Sequence, residues 1–152
     1  MYEESCADFK TCITIAQPGE GCALVHWLFT TYVLELKDNA RAAECLKLIP
    51  PDVVPPQMDY DYHRNFQLYT GQISRENFVD IPDMEKKVLK RPGRVQLELV
   101  TMYYGLFAYC VYLGDEKGAD EALLEALKLN IPNAFGYMNA RKFALKRGLI
   151  KE

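Results

Sequence analysis

Apolar side chains cover nearly every face of the stretch from 99 to 113, and Gly114 and Asp115 then interrupt it. That spacing predicts a buried helix followed by a turn. Beyond the turn, Ala119, Ala122, Leu123, Ala126, Leu127 and Leu129 return at intervals of three and four, with Asp120, Glu121, Glu125 and Lys128 between them. This is the stripe of an amphipathic helix, which Pro132 stops. Two helices joined by so short a turn cannot bury both faces on each other, so neighbours of the same kind are expected.

Upstream, 3 to 16 sets Phe9, Cys12, Ile13 and Ala16 on one helical face. The belt of Leu24, Val25, Trp27, Leu28, Phe29, Tyr32 and Leu36 predicts a core helix over 22–36, with the single tryptophan inside. A short helix over 39–48 packs back, and Pro50, Pro51, Pro55 and Pro56 impose an extended connection, the one internal boundary. Tyr62, Phe66 and Tyr69 share helical spacing within 58–69, closed by Gly71. A single turn is predicted over 74–79, with Ser74 as cap and Phe78 in the core. Asp83 reads as the cap of a helix running to Arg91, broken by Pro92 and Gly93, after which Arg94 opens the central hairpin. No period of two stands out, so the expected class is all-α, a single domain over 1–152 of stacked antiparallel helical hairpins with an irregular middle. Trp27, Phe29, Tyr103, Leu106, Leu123 and Leu127 are expected buried, and Ala119 and Ala126 are expected where helices touch closely.

The hairpin resembles a tetratricopeptide repeat. Tyr103 stands at the repeat's large aromatic, Leu106 at its leucine, Gly114 at its turn glycine, Ala119 and Ala126 at its small positions and Leu123 at the large apolar position of its second helix. Phe107, Cys110 and Pro132 depart from the pattern. The repeat runs 34 residues, and Tyr137 and Gly148 lie that far beyond Tyr103 and Gly114, so 134–147 reads as the first helix of a following unit. A second parallel runs at an offset of 77, pairing Tyr32 with Tyr109, Leu36 with Leu113, Asp38 with Asp115, Ala42 with Ala119 and Leu46 with Leu123. The resemblance implies a superhelix whose first helices line a groove, with Tyr104, Ala108, Val111 and Tyr112 facing Met138, Lys142, Leu145 and Lys146.

Composition narrows the function. With 49% hydrophobic residues and a net charge of −3, the 152-residue chain has ample core material and is not built as a general nucleic-acid binder. Residues 1–80 carry twelve acidic and six basic side chains, and 81–152 carry nine and twelve, so the surface is polarised. Cys6, Cys12, Cys22, Cys45 and Cys110 are odd in number and scattered, and read as small hydrophobes in a reducing compartment. No zinc spacing, signal peptide or bilayer-length apolar run is evident, so a cytoplasmic protein without metal, cofactor or membrane is expected.

Catalytic motifs are missing as well. Ser5 and Ser74 sit in no nucleophile elbow, and there is no phosphate loop. Gly19, Glu20 and Gly21 offer either backbone N–H groups to an anion or merely a helix start. His63 with Asp59, Tyr60, Asp61 and Tyr62 is the one cluster with acid and base groups, read more simply as a partly exposed helix start. The expectation is a non-enzyme that binds a protein or peptide. Two surfaces compete for that role. One is the aromatic groove of Tyr104, Tyr112 and Met138 with its basic edge Lys142 and Lys146, suited to an acidic peptide and an adaptor or chaperone-like role, although these lysines and Arg147 also fit a solvated helix end. The other is the acidic half with Asp59 and Asp61, suited to a basic partner such as the toxin of an immunity protein or antitoxin.

Overall fold

Asparagine, aspartate and glycine at the ends of the apolar runs set the helix boundaries of this chain. The computed structural model describes residues 1–88 and 90–151, with Pro18 described by its backbone alone. Among the described residues the helices are α1 (Tyr2–Ile15), α2 (Gly21–Thr31), α3 (Asn39–Cys45), α4 (Tyr60–Tyr69), α5 (Ile81–Lys87), α6 (Arg94–Leu113), α7 (Glu116–Lys128) and α8 (Phe135–Lys146), and there is no strand. The chain is therefore all-α. No helix among them is long and apolar enough to cross a membrane.

The two hairpin turns related by the offset of 77 share one geometry. Lys37 and Gly114 are both left-handed, at φ 55° and 76°. The next residues, Asp38 and Asp115, each accept the backbone N–H three positions on, from Arg41 and Gly118, both at 2.9 Å. A left-handed residue closes one helix and an aspartate N-cap opens the next. The earlier turn differs in that α2 widens into a π turn over Tyr32–Leu36 before it ends, with the Asp38 N–H reaching back to the Tyr32 carbonyl. Gly148 closes α8 at φ 71° in the same way that Gly114 closes α6, with N–H bonds back to Leu145 and from Leu149 to Ala144.

Helix α6 is the centre of the packing: α7, α4 and α8 lie against it, and so do α2 and its π turn. Phe29 and Leu123 are buried as expected, as are Ala119 and Ala126. Trp27, Tyr103, Leu106 and Leu127 are half-buried instead. On α6 the innermost positions belong to Tyr104, Phe107 and Ala108, because α2 and α8 cover the face that a free-standing hairpin would have left open. A second cluster of Leu68, Phe78, Met84, Val88, Leu99 and Met102 fills the space under the irregular middle.

That middle departs from expectation in two places. Helix α5 starts at Ile81 because Asp80, not Asp83, is its cap, accepting the Asp83 N–H at 2.9 Å with Pro82 in the first turn. It stops at Lys87, where Val88 turns extended, short of the expected Arg91. Residues 74–79 form a hydrogen-bonded turn, as expected. Arg64 clamps the carbonyls of Asn77 and Phe78, and the Phe78 ring is fully buried.

Candidate binding site

The chain itself fills part of the expected groove between α6 and α8, and a cavity of about 370 Å³ lined by Val111, Phe143, Lys146 and Arg147 remains. Tyr104 is only 4% exposed and Ala108 is fully buried, so neither faces a groove. The π turn after α2 crosses this region, and Glu35 on it accepts a 2.5 Å salt bridge from Lys142. Burial raises the Glu35 carboxyl, but the Lys142 ammonium outweighs it and holds the carboxyl below its ordinary range. Tyr112 is half-buried with its ring 5.5 Å from Phe29. Arg147 is spent on Glu116 and Asp120 of α7, at 2.5 and 2.6 Å. Lys146 is exposed, its ammonium 5.2 Å from the Phe143 ring. Of the basic edge, Lys146 alone remains at the surface without an intramolecular carboxylate.

A different opening lies where α2, α4, α6 and the start of α8 meet. It is a cavity of about 290 Å³ walled by Trp27, Asp59, Asp61, Tyr62, Arg94, Thr101 and Gly136 and rimmed by Met58, Leu97 and Phe135. Gly136 makes the closeness possible, since a Cβ there would stand 3.0 Å from the Val100 carbonyl oxygen and 3.1 Å from the Thr101 Cα. The first turn of α8 thus lies on the α6 backbone and delivers Phe135 to the rim, where it is 71% exposed. Met58 is 58% exposed, and Met138, one turn along α8, is 46% exposed.

Three carboxyl groups converge behind this rim. Glu98 of α6 is fully buried and accepts the Asp61 N–H at 2.8 Å, thereby capping the start of α4. The Arg94 guanidinium sits one turn earlier on α6 and pairs with Glu98, while also donating to the Met58 carbonyl at 2.6 Å. That pair is close but poorly directed: Glu98 Oε1 has no well-aligned hydrogen bond, and Arg94 Nε has none at all. Asp61, also buried, accepts the Tyr62 N–H at 2.8 Å. Burial first, then the neighbouring Glu98 charge and the hydrogen bond between the two side chains, push the Asp61 carboxyl well above its usual range. Burial and Glu98 raise the half-buried Asp59 carboxyl too. Among the described residues neither Asp59 nor Asp61 has a cation of its own.

Behind Trp27 and Tyr62 lies a buried polar cluster. His26 Nδ1 lies 2.9 Å from the Tyr69 hydroxyl and 3.2 Å from Asn65 Nδ2, and Nε2 is unpartnered. Desolvation drops the imidazole pKa to about 3. The ring stands 4.8 Å from Trp27 and 5.3 Å from Tyr62, between the polar cluster and the cavity wall.

His63 does not assemble with its sequence neighbours. Tyr60 turns away to donate to Asp83 at 2.9 Å, whereas Asp61 and Tyr62 face the cavity. The Gly19 turn is closed internally, with Glu20 accepting the Gln17 N–H at 3.2 Å. A larger cleft of about 450 Å³ by Tyr103 and α7 holds an Arg75 to Asp115 pair at 2.5 Å, with Glu121 and Glu125 paired to Lys117 and Lys128 and Glu76 in no ion pair among the described residues. Four of the five cysteines are buried and all are free thiols, and no group of three His, Cys, Asp or Glu side chains among the described residues is placed to hold a metal.

Asp59 and Asp61 were singled out in the sequence and line this cavity, whereas Met138 was expected in the groove and lies beyond the rim; Arg94, Glu98 and Phe135 were not singled out. The available signal was a lone glutamate inside the apolar run of 95–102 with an arginine four residues before it, a helical pair whose burial only the tertiary fold decides. No protein-family model, curated protein or solved structure matches this chain.

Proposed function

We propose that this is a non-catalytic protein that binds a protein partner on the face around the α2, α4, α6 and α8 cavity. The observation that carries the reading is the exposure of Phe135, Met58 and Met138 beside carboxyl groups that lack cations. Aromatic and methionine side chains supply contact area at the centre of interfaces, and an adjacent charge of one sign selects the partner. The scaffold under it is read as a divergent tetratricopeptide-like stack of hairpins on the residue pattern around Tyr103, Gly114 and Leu123. In this reading the partner approaches from outside the stack rather than along the groove, because Glu35 engages Lys142 there.

The acidic character of the face favours an inhibitor of the immunity-protein or antitoxin kind, covering the active site of a basic toxin, over an adaptor that holds an acidic peptide. Affinity capture from the native host tests both. A partner retained by the wild type and by Lys142→Glu with Lys146→Glu, and lost by Phe135→Ser, supports the proposed face. Retention by Phe135→Ser with loss by the double variant returns the function to the groove.

A further inference from the structure

The charges around the cavity do not balance. Asp59, Asp61 and Glu98 face one guanidinium, Arg94, and the helix N-termini of α4 and α8 add about half a positive charge each. With all three carboxyls ionised the region is left with a deficit of about one positive charge. Two things can make up that deficit: a proton held on Asp61, or a monovalent cation in the cavity. Burial and the neighbouring Glu98 charge favour the proton in the free protein. The cavity has room for the alternative and the walls suit it, since the aromatic side chains of Trp27 and Tyr62 line it and aromatic rings attract organic cations. The carboxyls are not grouped as metal donors among the described residues, which points away from an inorganic ion.

We infer that the cavity receives a lysine or arginine side chain of the bound partner, whose ammonium or guanidinium group makes up the missing positive charge beside Asp61 and Asp59. This rests on the proposed protein-binding face and names what that face reads. The alkyl stem crosses the apolar rim of Phe135, Met58 and Leu97, and the charged end meets Asp61 and Asp59. One proton leaves Asp61 for solvent as one cation enters, so the charge of the site is conserved. The other groups that set this exchange are Arg94 and Glu98 from α6, Tyr62 from α4, Glu20 before α2 and the neutral His26 within it.

Trp27 is the only tryptophan in the chain and lines the cavity, which gives a direct reporter. Its indole N–H cross-peak is followed by NMR while the full protein is titrated with Nα-acetyl-lysine methylamide, Nα-acetyl-arginine methylamide and the neutral Nα-acetyl-norleucine methylamide. A saturable shift with either cation, little with norleucine, and roughly tenfold or greater weakening in Asp61→Asn support the inference. Asp59→Asn, at the half-exposed mouth, provides the same test should the buried substitution unfold the chain. No saturable shift with either cation, or an equal shift with norleucine, overturns it. Because no partner is present in this titration, its failure leaves the binding face standing. Conversely, loss of the cation response together with retained Phe135-dependent capture separates the two readings.

Discussion

The two surfaces that carry unlike charge, the basic edge of α8 and the acidic cavity at its start, differ in what the chain has already done with them. On the basic side Lys142 is held by Glu35 and Arg147 by Glu116 and Asp120, so folding has already engaged two of its cations and left Lys146 and Arg141 exposed. On the acidic side Glu98 has Arg94, but among the described residues Asp61 and Asp59 form no ion pair of their own, and large apolar side chains stand exposed beside them. Solvated charge in a sequence is therefore a poor guide to available charge. The informative feature is a buried charge the fold leaves unmatched.

The largest effect is expected from removing the acid at the centre of the unmatched site. Glu98→Ala leaves the Asp61 N–H and the Arg94 guanidinium without their acceptor, and stability should fall by about 3 to 5 kcal/mol in urea denaturation. A loss below about 1 kcal/mol, the range of exposed pairs, would make the cavity acids equivalent to the basic edge and erase the contrast.

The hairpin wall common to both surfaces comes next. Ala126 is fully buried where α7 meets its neighbours, so Ala126→Leu should overpack and cost about 1 to 3 kcal/mol. An unchanged denaturation midpoint would show a loosely packed wall, on which the cavity geometry could not be held.

Acid should then act with opposite sign on the cavity and on the cluster behind it. His26 is neutral in the fold at a pKa of about 3 but ordinary, near 6.5, when unfolded. Its contribution is complete above 6.5 and lost as pH falls, about 2 kcal/mol by pH 5 at about 1.4 kcal/mol per unit. Asp61, raised in the fold, contributes most at low pH and loses that contribution as pH rises through its folded value. Stability measured from pH 7 to 5 should therefore fall more steeply in Asp61→Asn than in the wild type. Equal slopes would mean that Asp61 is ionised throughout.

The smallest effect belongs to the basic edge. Lys146→Glu should change stability by less than about 0.5 kcal/mol. Lys142→Glu should cost more, because it sets a carboxylate against Glu35, and this contradicts the expectation that both lysines are merely solvated. Thermal melts of the two single variants make the distinction; equal melting temperatures would show that the Glu35 contact contributes nothing.

Most helix positions could be read from the chain because apolar spacing, glycine and aspartate caps act locally. Gly114 and Asp115 announce a turn wherever they sit, and Asp38, paired with Asp115 at the offset of 77, caps its helix as Asp115 does. What escaped was long-range. Tyr104 and Tyr103 are adjacent aromatics, and which one is buried depends on α2 and α8 closing over α6. Trp27 was expected inside on size alone, yet it stands half-buried at a cavity wall whose other side is built from residues 32 to 109 positions away. Asp59 and Asp61 were visible as acids, but the buried Glu98 that perturbs them carries no local mark of its role.

The contrast between matched and unmatched charge is tested most directly by a carboxyl ¹³C NMR pH titration of the free protein, reading Asp61 and Glu35 in the same samples. The account predicts that Asp61 titrates well above the ordinary aspartate range and Glu35 below the ordinary glutamate range. An Asp61 carboxyl that ionises at or below its ordinary value would mean that the fold already supplies its cation, and the cavity would then have no charge left for a partner to satisfy.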